Sequence, residues 1–124
     1  QAPTGSFTNV EKDGDTYNAY FGAFTPDTDY DEVILSVQVN GTSIGTTDTL
    51  DNAKTSDASV SGDVDGTTVS CDIAVTDLAD NDRISSGDYI TISADSGTLH
   101  SGDWTIRLIY DATGDVIDTE SFTV

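Results

Sequence analysis

Apolar residues recur at every second position through most of the chain, the pattern of strands with one buried face. Val33, Leu35, Val37 and Val39 alternate with Ile34, Ser36 and Gln38, and the run stops at Asn40-Gly41, a pair that tolerates positive φ and suits a two-residue hairpin turn. Ile44 resumes an apolar position on the partner strand. Val69, Cys71, Ile73 and Val75 share a face against Ser70, Asp72, Ala74 and Thr76, which sets the Cys71 sulfur among core residues. Further on, Tyr89, Ile90, Thr91 and Ile92 form a strand after Gly87-Asp88, and Trp104, Ile106, Leu108 and Tyr110 another after Gly102-Asp103. Residues 111–115 supply turn chemistry before a last strand over 116–124, and residues 7–10 and 17–24 read as a hairpin around Lys12-Asp13-Gly14-Asp15.

No stretch shows helical periodicity. Residues 46–65 are rich in Thr, Ser, Asp and Gly with Leu50, Val60 and Val64 as anchors, and read as a long loop carrying weak edge strands. Ser86-Gly87-Asp88-Tyr89 and Ser101-Gly102-Asp103-Trp104 repeat a turn followed by strand entry. Seven to nine short strands predict an all-β fold, an immunoglobulin-like antiparallel β-sandwich forming one domain over residues 1–124. Ile34, Leu35, Val37, Ile73, Trp104, Ile106 and Leu108 are its expected core, and residues 1–10 are a flexible segment or a strand free for donation to a neighbour.

Charge alters this picture more than any motif. The 124 residues carry 23 Asp+Glu against 4 Lys+Arg, a formal net of −19, and Glu11, Glu32 and Glu120 are the only Glu among the acids. The acids are interleaved with aromatic and Val-rich stretches from end to end, unlike a disordered acidic tail. So large an imbalance self-repels in dilute buffer and suits molar salt, where the Debye length is about 3 Å. Lys12, Lys54, Arg83 and Arg107 are scattered, so nucleic acid and anionic lipid are excluded as partners. Cys71 is the sole cysteine, which rules out an internal disulfide, and no apolar run approaches the roughly 20 residues of a membrane helix.

Catalytic patterns are absent: His100, the only histidine, sits before a turn with no paired nucleophile, and there is no nucleophile elbow, phosphate loop or Cys-His pair, so no enzyme chemistry is expected. Among so many acids, carboxylate pairs at glycosidase spacing arise by chance. Calcium is the one cofactor the chain could hold, because it takes six to eight oxygens. Asp27, Asp29, Asp31 and Glu32 are the densest ligand set, and Asp77, Asp80 and Asp82 a second; neither completes an EF-hand loop, nor does Asp63-x-Asp65-Gly66. The plainer account of all three is solvated acidic turns. Asn40-Gly41-Thr42 matches the N-glycosylation acceptor pattern, although the same Asn-Gly serves to close the hairpin. Tyr30, amid Asp residues, is the ring expected to be exposed.

The C-terminal segments Ser86-Gly87-Asp88-Tyr89-Ile90-Thr91-Ile92, Leu99-His100-Ser101-Gly102-Asp103-Trp104-Thr105-Ile106-Arg107-Leu108-Ile109-Tyr110 and Thr113-Gly114-Asp115-Val116-Ile117, with the closing Phe122-Thr123-Val124, resemble the head domain of archaeal type IV pilin-like proteins of halophiles and methanogens. The resemblance covers about 40 residues of turn-and-strand grammar. It implies a noncatalytic structural or adhesive subunit of an extracellular, cell-surface filament adapted to high salt. The implied partners are other copies of the chain in a homopolymeric filament, with surfaces or other cells beyond them. A membrane would be reached only through an apolar N-terminal helix that this sequence does not contain. A different expectation for the same strands is a monomeric extracellular calcium- or carbohydrate-binding module.

Overall fold

The computed structural model describes all 124 residues. Nine strands form two antiparallel sheets: β1 (Phe7–Asp13), β2 (Thr16–Phe21), β3 (Val33–Val39), β4 (Thr42–Thr46), β5 (Ala58–Val64), β6 (Thr67–Thr76), β7 (Tyr89–Ser93), β8 (Asp103–Tyr110) and β9 (Asp115–Thr123). One sheet has the order β1-β2-β7-β6-β5 and the other β4-β3-β8-β9. Four strands of the first and three of the second reproduce the two-sheet order of the immunoglobulin sandwich, with β5 and β4 added at adjoining edges.

The period-two pattern explains the strands directly. Val33, Leu35, Val37 and Val39 are fully buried while the residues between them are half-buried, and the Asn40-Gly41 turn has φ of 51° and 81°. Leu35, Val37, Ile73, Trp104, Ile106 and Leu108 are core as expected, but Ile34 stands on the outer face of its sheet. Trp104, paired with Val39 and Phe122 near the β3–β4 turn, is wholly buried 6.0 Å from the Phe122 ring, with its indole N–H donating to the His100 carbonyl at 2.9 Å. At the opposite end Phe21 gathers Phe7 (4.9 Å), Phe24 (5.7 Å) and Tyr30 (6.3 Å).

Residues 46–65 are more ordered than their composition suggests. Leu50–Lys54 forms a 3-10 turn with Leu50 and Ala53 buried, and β5 pairs with β6 along its whole length. Its inward positions are Ala58, Val60, Gly62 and Val64. A Cβ at Gly62 would lie 2.7 Å from the Ile44 Cα, so glycine lets β5 close against β4 and seal one side of the sandwich. On the other side β9 lies beside β1, and the Phe7 N–H donates to Asp118 Oδ2 at 2.8 Å. The N-terminal residues read as flexible or available for donation are held in place here: Thr4 pairs with Thr25, Phe7 is buried and Phe7–Asp13 is a strand of the chain's own sheet.

The outer face of the β4-β3-β8-β9 sheet departs from the composition of the whole. Cross-strand pairing lines up Ile34, Ile109 and Val116 in one row, Ser36, Arg107 and Thr119 in the next, and Gln38, Thr105 and Ser121 in a third. No acid stands in these rows; the acids in phase with them along β8 are Asp103 at its start and Asp111 just past its end.

Candidate functional site

Sandwich topology carries the β2–β3, β4–β5 and β6–β7 connections to one end, and with them both acidic clusters. The connections grip one another through their backbones. Asp29 and Arg83 form an isolated antiparallel bridge, the Tyr30 N–H donates to the Asp82 carbonyl at 2.9 Å, and the Ile84 N–H donates to the Thr28 carbonyl at 2.9 Å.

At the base lies a buried polar pair. Asp29-x-x-Glu32 ahead of an apolar strand is a capping signature; the Asp29 N–H donates to Glu32 Oε1 at 3.1 Å, and Tyr30–Glu32 makes a 3-10 turn. That turn sends the Tyr30 ring inward, where it is wholly buried, which corrects the expectation of an exposed ring. Its hydroxyl donates to Asp88 Oδ2 at 2.7 Å. Asp88, itself buried, also accepts the Ser85 N–H (3.1 Å) and the Leu78 N–H (3.1 Å), so one carboxylate ties both ends of the β6–β7 connection to the β2–β3 connection. Burial, the hydrogen bond to Asp88 and the charges of Asp88 and Asp77 all push the Tyr30 hydroxyl far above its ordinary pKa. The matching Ser-Gly-Asp at residues 101–103 does nothing of the kind: Asp103 is exposed and accepts the Thr123 hydroxyl at 3.2 Å.

Above this pair sits Lys54, delivered by the 3-10 turn before β5. Its ammonium meets Asp77 (3.0 Å), Asp80 (3.8 Å) and Asp82. The second acidic set thus closes around a side chain of the protein itself. Hydrogen bonds to Asp82 and Asp77 raise the Lys54 pKa against the opposing effect of burial. Burial alone would push the Asp77 carboxyl up; the Lys54 hydrogen bond and charge and the backbone amides of Asp82 and Asn81 outweigh it and hold that carboxyl below its usual range. Nothing in the linear spacing pointed to Lys54, because the turn that aims it lies in the stretch read as loop.

The first acidic set divides. Asp27 leaves it to pair with Arg83 Nη1 at 2.9 Å. Asp29, Asp31 and Glu32 keep carboxylate oxygens within 4.8 Å of one another. A cleft of about 350 Å³ opens beside them, lined by Asp29, Asp31, Asp51, Lys54, Thr55 and Asp82. Desolvation first, then the charges of Asp29, Asp51 and Glu32, raise the Asp31 carboxyl above its ordinary pKa. Asp51 Oδ1 is buried without a hydrogen-bond donor.

The remaining sequence-level sites lie elsewhere. Asn40 is exposed at the β3–β4 turn, and its Oδ1 accepts the Asp103 N–H at 2.9 Å; a Cβ at Gly102 would lie 2.5 Å from that oxygen. Asp63 Oδ2 accepts the Gly66 N–H at 3.2 Å, closing the β5–β6 turn. Cys71 is buried, and burial followed by the Asp72 charge pushes its thiol up to about 12. His100 is exposed on the β7–β8 connection, with its backbone carbonyl engaged by Trp104. No protein-family model, curated protein or solved structure matches this chain.

Proposed function

We propose that this protein is a noncatalytic structural or adhesive subunit of an extracellular filament, of the type IV pilus-like class, working at high salt. The observation that carries the reading is how the charged groups at the acidic end are used. Asp88 takes three donors, Lys54 three carboxylates and Arg83 one, so the long connections are braced against one another. Such an end behaves as a rigid body. Its remaining acids keep it hydrated in brine, where screening over about 3 Å removes the cost of their proximity. Electron microscopy of native cell surfaces at molar salt, with intact mass on the same material, tests this. Ordered filaments containing the chain are expected, and dispersed single particles would overturn it.

A second reading has its own observation: the Asp29, Asp31 and Glu32 oxygens converge beside a cleft that Asp51, one of whose carboxylate oxygens is buried without a donor, also lines. An oxygen cluster of this kind suits calcium. Here the protein would be a cation-binding surface module. Melting in calcium against magnesium at fixed ionic strength distinguishes the two; a calcium-specific rise that disappears in Asp29→Asn supports the module.

A further inference from the structure

On a chain with a net charge of −19, two copies approach at least cost where acids are missing. The outer face of the β4-β3-β8-β9 sheet is such a place, and the geometry points to it as the surface on which a second copy of this chain docks. This inference rests on the filament reading and supplies one contact between its subunits; a two-fold contact closes a pair, and the filament joins such pairs through a second, different surface.

Three features of the face select a copy of the same chain. First, the row Ile34, Ile109 and Val116 is an apolar strip across three strands, and Val116 is 52 % exposed, one of two large apolar side chains so open to solvent. Second, Arg107 stands in the middle of the face, flanked by Ser36 and Thr119, and pairs with none of the chain's 23 acids. Every ion pair in the protein belongs to Lys54 or Arg83. Leaving an arginine unpaired amid such an excess of carboxylate reserves it for an acid that arrives from outside. Third, Asp103 lies on the same strand and the same face, four residues away, or roughly 13 Å.

A two-fold axis passing near Thr105 therefore brings Arg107 of one copy to Asp103 of the other, and the reverse pair forms by symmetry. The Gln38, Thr105 and Ser121 row then lies on the axis against its own copy, and each apolar row, four residues from the axis, lies over the uncharged Ser101 ahead of the mate's β8. A contact pair of this kind acts at hydrogen-bond range and persists in molar salt, while the long-range repulsion between the acidic loops is screened away.

Analytical ultracentrifugation of the chain in molar salt, over a wide concentration range, reads the contact. Wild type is expected to self-associate, Arg107→Asp and Ile109→Asp each to weaken association at least tenfold, and the exchanged pair Asp103→Arg/Arg107→Asp to recover most of the loss. Ser70→Asp, on the outer face of the other sheet, is expected to leave association unchanged. Monomer throughout for wild type, an exchanged pair no better than Arg107→Asp alone, or equal damage from Ser70→Asp would overturn the docking surface. Filaments seen by microscopy under those same results would leave the filament reading standing; association that follows the expected pattern without filaments on cells would overturn that reading and keep the contact.

Discussion

The Tyr30 hydroxyl and the Asp88 carboxylate are the residues on which the acidic end depends. Tyr30→Phe keeps the ring packing and removes one hydrogen bond to a buried carboxylate, which is expected to cost about 2 kcal/mol in denaturant unfolding at molar salt. A cost near zero would show that Ser85 and Leu78 alone secure Asp88. The sequence pointed the other way because Asp29 and Asp31 are neighbours only along the backbone; the turn they cap faces the side chain between them into the core. Lys54 and Asp77 give the same end a defined pH range. The lowered Asp77 pKa contributes stability above the unfolded value of about 3.9 and loses it as pH falls through the folded value, while the raised Lys54 pKa contributes below about 10.4 and fades as pH rises beyond it. Stability from this pair is thus flat between those limits, and Lys54→Met is expected to shrink the acid limb of a plot of melting temperature against pH by the part of the Asp77 contribution that Lys54 supplies. Cys71, its thiol pushed up to about 12 and buried, is expected to resist a maleimide at pH 8 until the chain is unfolded, as mass spectrometry would show.

Strands were legible wherever inward positions carried apolar side chains: β3, β6 and β8 announce themselves by alternation, and the turns between β3 and β4 and between β8 and β9 by their Asn, Asp and Gly. β5 hid because one inward position is Gly62, where the Ile44 backbone occupies the space a side chain would fill. Gly62→Ala is accordingly expected to destabilise by about 1–3 kcal/mol, the usual range for overpacking, by forcing β5 from β4. No loss of stability would mean that this side of the sandwich is loosely closed. Trp104→Ala removes the largest fully buried side chain and is expected to cost about 3–5 kcal/mol. Ile34 shows the limit of an apolar list: its phase along β3, more than its hydropathy, places it outside.

At the scale of the molecule, sequence gave the class and the charge but not their arrangement. Asp27, Asp29, Asp31 and Glu32 lie some fifty residues from Asp77, Asp80 and Asp82, and only the crossing of the chain between sheets brings them to one end. The charge itself makes a global prediction: raising salt from about 0.1 M to several molar should raise the unfolding midpoint, because the Debye length falls from about 10 Å to under 3 Å. A midpoint independent of salt would mean that the acids are far enough apart to be indifferent to one another. The sole tryptophan supplies the means of watching this. Since Trp104 is sealed between the sheets and bonded to the β7–β8 connection, its fluorescence has one source and one environment. Emission shifts to the red when the two layers part, so a single intrinsic fluorophore reports the opening of the entire sandwich without any label.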